Sequence, residues 1–115
     1  ESRLYQWAIG VLRFCRTLPS SGEARDIESQ LRRASTSASA NYRASRRARS
    51  TREWIAKIGI VIEELDEADH WLAMIEDAGV AHPPQNLRTE CRELRAVLAK
   101  SAATARKRHT ARWNP

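Results

Sequence analysis

Residues 50–79 read STREWIAKIGIVIEELDEADHWLAMIEDAG, and the fold follows from how this stretch is punctuated. Ser50 stands three residues before Glu53, the capping-box spacing in which a hydroxyl and a carboxylate satisfy free N–H groups at the start of a helix. From there Trp54, Ile58, Val61, Leu65, Ala68, Leu72 and Ile75 recur at steps of three and four, the period of one helix face. Gly79 is placed to end that helix as the C′ residue, where a left-handed conformation is needed. Ile55, Ile60 and Ile62 add apolar surface on other faces of the first half, more than one bundle core covers. The nearly apolar run from Trp54 to Ile62, with Lys57 inside it, is about half of the ~20 residues a bilayer-spanning helix needs, so no membrane span is expected.

Upstream, Leu4, Tyr5, Ala8, Leu12 and Cys15 form one stripe, with Trp7, Val11, Phe14 and Leu18 beside it, which predicts a first helix with a wide apolar face ended by Pro19. Ser20 lies three residues before Glu23 and is expected to cap a second helix, whose Ile27, Leu31, Ala34, Ala38 and Asn41 share one side with Tyr42. The Arg-rich run Arg43–Ser50 holds a tight connection to the third helix. Downstream, His82-Pro83-Pro84 breaks the chain and Asn86 is expected to cap a fourth helix with the seam Leu87, Cys91, Leu94, Leu98 and Ala105. Short connections make sequential helices neighbours of opposite direction, so the expected fold is all-α, an antiparallel up-down four-helix bundle over residues 1–105. Residues 106–115, RKRHTARWNP, carry no seam and are expected to be a frayed basic tail.

The composition agrees. A chain of 115 residues fits one domain, and with 42% hydrophobic and 30% charged residues it has the balance of a folded globular chain. Cys15 and Cys91 are far apart, with no CxxC and no clustered His, and no basic-then-apolar leader is visible, which fits reduced core thiols in a cytoplasmic protein.

Charge is segregated. Residues 50–79 carry −6, residues 22–49 carry +4 and residues 86–115 carry +6, within a net charge of +6. The acidic third helix is expected to pair with its two basic neighbours in exposed ion pairs of about 0–1 kcal/mol each. That pairing leaves a positive excess at Arg43, Arg46, Arg47 and Arg49 and at Arg106, Lys107, Arg108 and Arg112, the expected phosphate contacts for RNA or DNA. Of 20 basic residues 17 are Arg, whose planar fork suits phosphate, although a chain rich in both Arg and Ala also reflects base composition.

Glu67 and His70 have the Glu-x-x-His spacing of a helical di-iron ligand pair, but a second such pair is lacking, so no metal, cofactor or catalytic residue is expected. With no Gly-rich phosphate loop or nucleophile motif, the chain is expected not to be an enzyme. The surplus apolar surface points to a homo-oligomer through Trp7, Phe14, Trp54, Ile55, Gly59 and Ile62. Gly59 in mid-helix is read as a close helix or subunit contact, while Asn41, Ser50 and Glu53 are read as structural groups at helix ends.

The stretch from Gln30 to Val80 resembles the bacterial family of 23S ribosomal RNA intervening-sequence proteins. The resemblance is carried by Leu18-Pro19, Gln30-Leu31-Arg32-Arg33-Ala34, Ser37, Asn41, Arg49-Ser50, Glu53-Trp54, Gly59 and Glu63-Glu64-Leu65. Ser39 and Ala44-Ser45 depart from the commoner pattern, which has a Pro and a Glu-Gly pair there. The resemblance implies a homopentamer of four-helix bundles. It also links the chain to the accessory variability determinant of diversity-generating retroelements, a basic pentamer that binds nucleic acid and its reverse transcriptase. Two readings of function stay open: an oligomeric accessory protein that binds nucleic acid without sequence preference, and a scaffold whose basic surface docks a protein partner such as a reverse transcriptase.

Overall fold

The computed structural model describes residues 2–113, with side chains through Ala111. Four helices account for most of them: α1 (Arg3–Cys15), α2 (Gly22–Ser45), α3 (Thr51–Asp77) and α4 (Gln85–Trp113). Each helix packs on two others, α1 on α2 and α4, α3 on α2 and α4, so the four form a closed square with α1 and α3 on one diagonal. Cross-links fix the directions. Arg33 on α2 meets Glu64 and Glu67 on α3, and along α4 Arg88, Arg92 and Arg95 meet Asp69, Asp69 and Asp66 in turn, so α4 advances as α3 recedes. The bundle measures 58 × 23 × 23 Å.

Local sequence sets the ends. Ser2 Oγ accepts the Tyr5 N–H at 3.0 Å to start α1. The α2 cap is Ser21, not the expected Ser20, and its hydroxyl accepts the Ala24 N–H at 3.2 Å. One residue's difference moves the hydroxyl onto the first turn. At α3, Ser50 Oγ accepts the Glu53 N–H at 3.0 Å. Gly79 at φ +75° closes α3: its N–H donates to Glu76 O and the Val80 N–H to Ile75 O, each at 3.0 Å, the paired bonds of a Schellman turn. Helix α4 starts at Gln85, one residue before the expected cap Asn86, because the Pro84 carbonyl already accepts the Leu87 N–H at 3.0 Å. It also runs past the expected boundary at residue 105 to Trp113. Residues 102–111 contain no Gly or Pro and are mostly Ala, Arg and Lys, strong helix formers that carry the helix beyond its apolar seam.

The core forms where the stripes meet. Leu31, Ala34 and Ala38 of α2, Ile58, Val61, Leu65, Ala68, Leu72 and Ile75 of α3 and Cys91 of α4 are wholly buried. The small residues of α2 let its backbone approach α3, the broadest of the four contacts. Trp7 and Phe14 lie in this same core, at 3% and 8% exposure. Their expected place in a subunit interface is corrected: a side chain sealed inside one protomer has no surface to offer another. The wide apolar face of α1 follows from its touching two helices at once, Trp7 reaching α4 by donating its Nε1–H to Leu87 O at 2.9 Å. Gly10 makes that approach possible, since a Cβ there would stand 3.1 Å from Leu87 Cδ2.

Both cysteines are free and buried. Cys91 Sγ–H donates to Leu65 O at 3.1 Å. Burial pushes the Cys15 thiol up to about 11 and Cys91 to about 12, so neither is a thiolate near neutrality. Among the described residues no helix is long and apolar enough to cross a membrane.

Candidate nucleic-acid interface

The ion pairs of the bundle follow its charge segregation. Arg33 bridges Glu64 and Glu67; Arg88 bridges Asp69 and Glu76; Arg92 shares Asp69; Arg95 takes Asp66; and Arg3 joins α1 to Glu90 with bonds of 2.7 and 3.0 Å. Burial raises the Glu67 carboxyl, but hydrogen bonds from Arg33 and Trp71 outweigh it and hold the group below its ordinary range. The hydrogen bond from Arg3 does the same for Glu90. Glu64, Asp66, Glu67, Asp69 and Glu76 of α3 are thus engaged by arginines, while Glu63 and Asp77 stand exposed.

The opposite situation holds around the connection of residues 46–50. Arg43, Arg46, Arg47 and Arg52 are exposed and have no carboxylate within ion-pair distance among the described residues, while Arg49, its side chain 89% exposed, reaches Glu53 only at 3.6 Å. The Arg46 guanidinium lies over the Tyr42 ring at 5.2 Å, holding one cation against an aromatic face. Arg106, Lys107 and Arg108 are exposed on α4, also without an ion pair among the described residues. Because Arg95 meets Asp66 and α4 runs against α3 at about 1.5 Å per residue, Arg106–Arg108 come level with the start of α3. The two basic clusters, separate in sequence, therefore share one end of the bundle. Arg112 lies on the last turn of α4, with its side chain outside the described residues.

Two concavities open at this end. Between α2 and α3, a cleft of about 390 Å³ is lined by Ala40, Arg43, Ala44, Arg47, Glu53 and Lys57. Glu53 is turned to its own helix start, accepting the Arg49 N–H at 3.4 Å, so three cations, Arg43 of α2, Arg47 of the connection and Lys57 of α3, line the cleft beside one engaged carboxylate. Lys57 was missed as a candidate, although it is the one charge interrupting the apolar run of α3. Between α1 and α2, a groove of about 1020 Å³ has Tyr5, Ile9 and Ala40 among its walls and Tyr42, Arg43 and Arg46 at one end.

The remaining candidate residues separate by burial. Trp54 and Ile62 are half-buried against the core, and Ile55 and Gly59 are half-exposed. Ile55, Gly59 and Ile62, at i, i+4 and i+7, share a face of α3. Nothing in the chain lies within 4 Å of a Cβ placed on Gly59, so the expected close contact with another helix of the same chain is absent. Asn41 donates from Nδ2 to Ser37 O at 2.9 Å and to Ser37 Oγ at 3.1 Å, inside its own helix. Glu67 is engaged by Arg33, and His70 sits edge-on to Trp71 with ring centroids 4.9 Å apart. No group of three or more His, Cys, Asp or Glu side chains that could hold a metal occurs among the described residues.

Comparison with known proteins bears on the fold and the family. A crystal structure from Bacteroides thetaiotaomicron, described as a protein of unknown function from the S23 ribosomal protein family, superposes with a TM-score of 0.79. The match covers 86% of this chain and 94% of that one at 21% identity, and so speaks to the fold alone. No functionally curated protein matches. The family model for the 23S rRNA-intervening sequence protein matches residues 2–100, nearly the whole bundle, and on that match the chain belongs to this family.

Proposed function

We propose that the chain is a non-catalytic, homo-oligomeric accessory protein of the cytoplasm that binds RNA and DNA through phosphate, with little sequence preference. The observation that carries the reading is the gathering of Arg43, Arg46, Arg47, Arg106, Lys107 and Arg108 at one end of the bundle, with no carboxylate partner among the described residues, while most carboxylates of α3 are engaged by other arginines. Arginine forks without carboxylates suit phosphate, and exposed side chains at a helix-bundle end offer no ordered array for reading base edges.

Oligomerisation multiplies such contacts, because one protomer reaches only a few phosphates. The face of α3 bearing Ile55, Gly59 and Ile62 supports self-association, Gly59 leaving an open notch into which another subunit's backbone fits. The resemblance supports reading the oligomer as a pentamer and a reverse transcriptase of a diversity-generating retroelement as its partner.

Light scattering on a sizing column gives the assembly, and a stable 13.1 kDa particle at micromolar concentration would remove the oligomer. Fluorescence anisotropy with unrelated RNA and DNA oligomers at two salt concentrations gives the binding. Each phosphate contact contributes about 0.7–0.9 to the slope of log affinity against log salt. Replacing Arg43, Arg46 and Arg47 by Glu is expected to flatten that slope and weaken binding equally across sequences. Absence of binding at low salt would assign the basic end to an acidic protein partner instead.

A further inference from the structure

We propose that the groove between α1 and α2 seats an unstacked base, so that the chain prefers single-stranded nucleic acid to duplex. The inference rests on the phosphate reading of the same end of the bundle and adds the form of nucleic acid that the end accepts.

The groove combines two features that a single strand needs together. Its walls offer aromatic and apolar surface among small polar groups: Tyr5 stands 46% exposed and Ile9 is half-buried, with Ser2, Thr36 and Ser39 beside them. Its end is cationic, with Arg43 and Arg46 beside Tyr42, and Arg46 already lies over the Tyr42 ring. Arg43 lines both this groove and the neighbouring α2–α3 cleft, where Arg47 and Lys57 join it. A strand that places a base against Tyr5 therefore has its phosphates led across the end of α2, from Arg43 toward Arg47 and Lys57. The charge of the rim selects an anionic occupant, and the exposed Tyr5 ring selects one with a flat face to lay against it.

A duplex does not meet both conditions. Its base faces are stacked inside, leaving only edges in the grooves and phosphates outside, so it can engage the arginines but has nothing to place against Tyr5. A single strand presents every base face, and stacking on an aromatic side chain is tolerant of sequence.

The experiment is fluorescence anisotropy at low salt with a short labelled RNA free of self-complementarity, its DNA counterpart, and each annealed to its complement. Single strands are expected to bind about 10-fold more tightly or better, the range that one or two stacked bases supply. Tyr5→Ala is expected to remove most of that preference and leave duplex binding unchanged, whereas Tyr5→Phe keeps the ring and the preference. Ser39→Leu, which fills the groove from α2, is expected to act as Tyr5→Ala does and serves if that variant fails to fold. Equal affinity for single strand and duplex, or full preference in Tyr5→Ala and Ser39→Leu, would overturn the proposal while leaving phosphate binding intact. A change of particle size in both variants with strand preference unaltered would make the groove a subunit contact and likewise overturn it. Failure of every nucleic acid to bind would remove the phosphate reading itself, and this inference with it.

Discussion

Along the middle of the bundle, Arg33, Arg88, Arg92 and Arg95 each lie against a carboxylate of α3; around the α2–α3 connection, Arg43, Arg46, Arg47 and Arg52 lie against none among the described residues. The side chain is the same in both sets. What differs is its place: Arg33, Arg88, Arg92 and Arg95 project from α2 and α4 onto acidic positions of α3, whereas Arg43, Arg46, Arg47 and Arg52 cluster where α2 turns into α3. Arginine content says little until the fold has set aside those arginines whose charge is already met.

Charge reversal breaks the comparison most directly. Arg43, Arg46 and Arg47 replaced together by Glu should lower nucleic-acid affinity by about 100-fold or more at low salt, since three cations become three anions beside phosphate. The melting temperature should fall only modestly: no ion pair is lost, but the Arg46 contact with the Tyr42 ring goes and carboxylates replace cations at the C-terminal end of α2. The reverse outcome is expected for Arg33→Glu, which puts a third carboxylate beside Glu64 and Glu67. Its expected destabilisation is about 1–2 kcal/mol, from two exposed pairs lost and like charges gained, with affinity unaltered. Urea midpoints and anisotropy on the same two proteins separate the roles; if both variants lose both properties, the two regions are not distinct.

Acid should sharpen the contrast. Glu67 and Glu90 have carboxyls held below their ordinary range, so the stability they contribute is present above the unfolded value of about 4.3 and is lost as pH falls through the folded one. Urea midpoints should therefore fall as pH is taken from neutrality to about 3, with a shallower fall in Arg33→Ala. At the alkaline limit the sign comes from the thiols. Cys15 and Cys91, raised to about 11 and about 12, contribute stability that is complete below the ordinary thiol range and lost as pH climbs through those values.

The smallest effect is the most discriminating for assembly. Gly59→Ala meets nothing within 4 Å in the protomer, so the helix itself should gain about 0.5–1 kcal/mol. If Gly59 admits another subunit, the same change should lower the oligomer's mass at a fixed concentration; a more stable oligomer of unchanged size would place the interface elsewhere.

The α3 stripe, its cap at Ser50 and its stop at Gly79 were legible because period and punctuation are local properties of the chain. The exchange of Ser20 for Ser21 shows the limit of that reading, since two adjacent polar residues at a helix start compete by fractions of a turn, and α4 takes in Asn86, the expected cap, because the Pro84 carbonyl already serves its first turn. Trp7 and Phe14 were misplaced for a different reason: two apolar stripes on one helix look like a surplus until the helix is known to face two partners. At the candidate site the arginines could be named, but their meeting with the end of α4, and the place of Lys57 beside Arg43 and Arg47, depend on register between helices. No single segment encodes that register.

The four helices differ greatly in length. At about 1.5 Å per residue, the 13 residues of α1 span about 20 Å and the 29 of α4 about 44 Å, and the bonds joining the two fall at Leu87 and Glu90. The later turns of α4 therefore run on without that neighbour, and local opening there breaks few tertiary contacts. Amide hydrogens of residues 103–111 should exchange with solvent well before those around Leu65, where every side is packed. A ligand that grips this end only in its closed form would slow that exchange, making the least protected backbone of the molecule its reporter of occupancy.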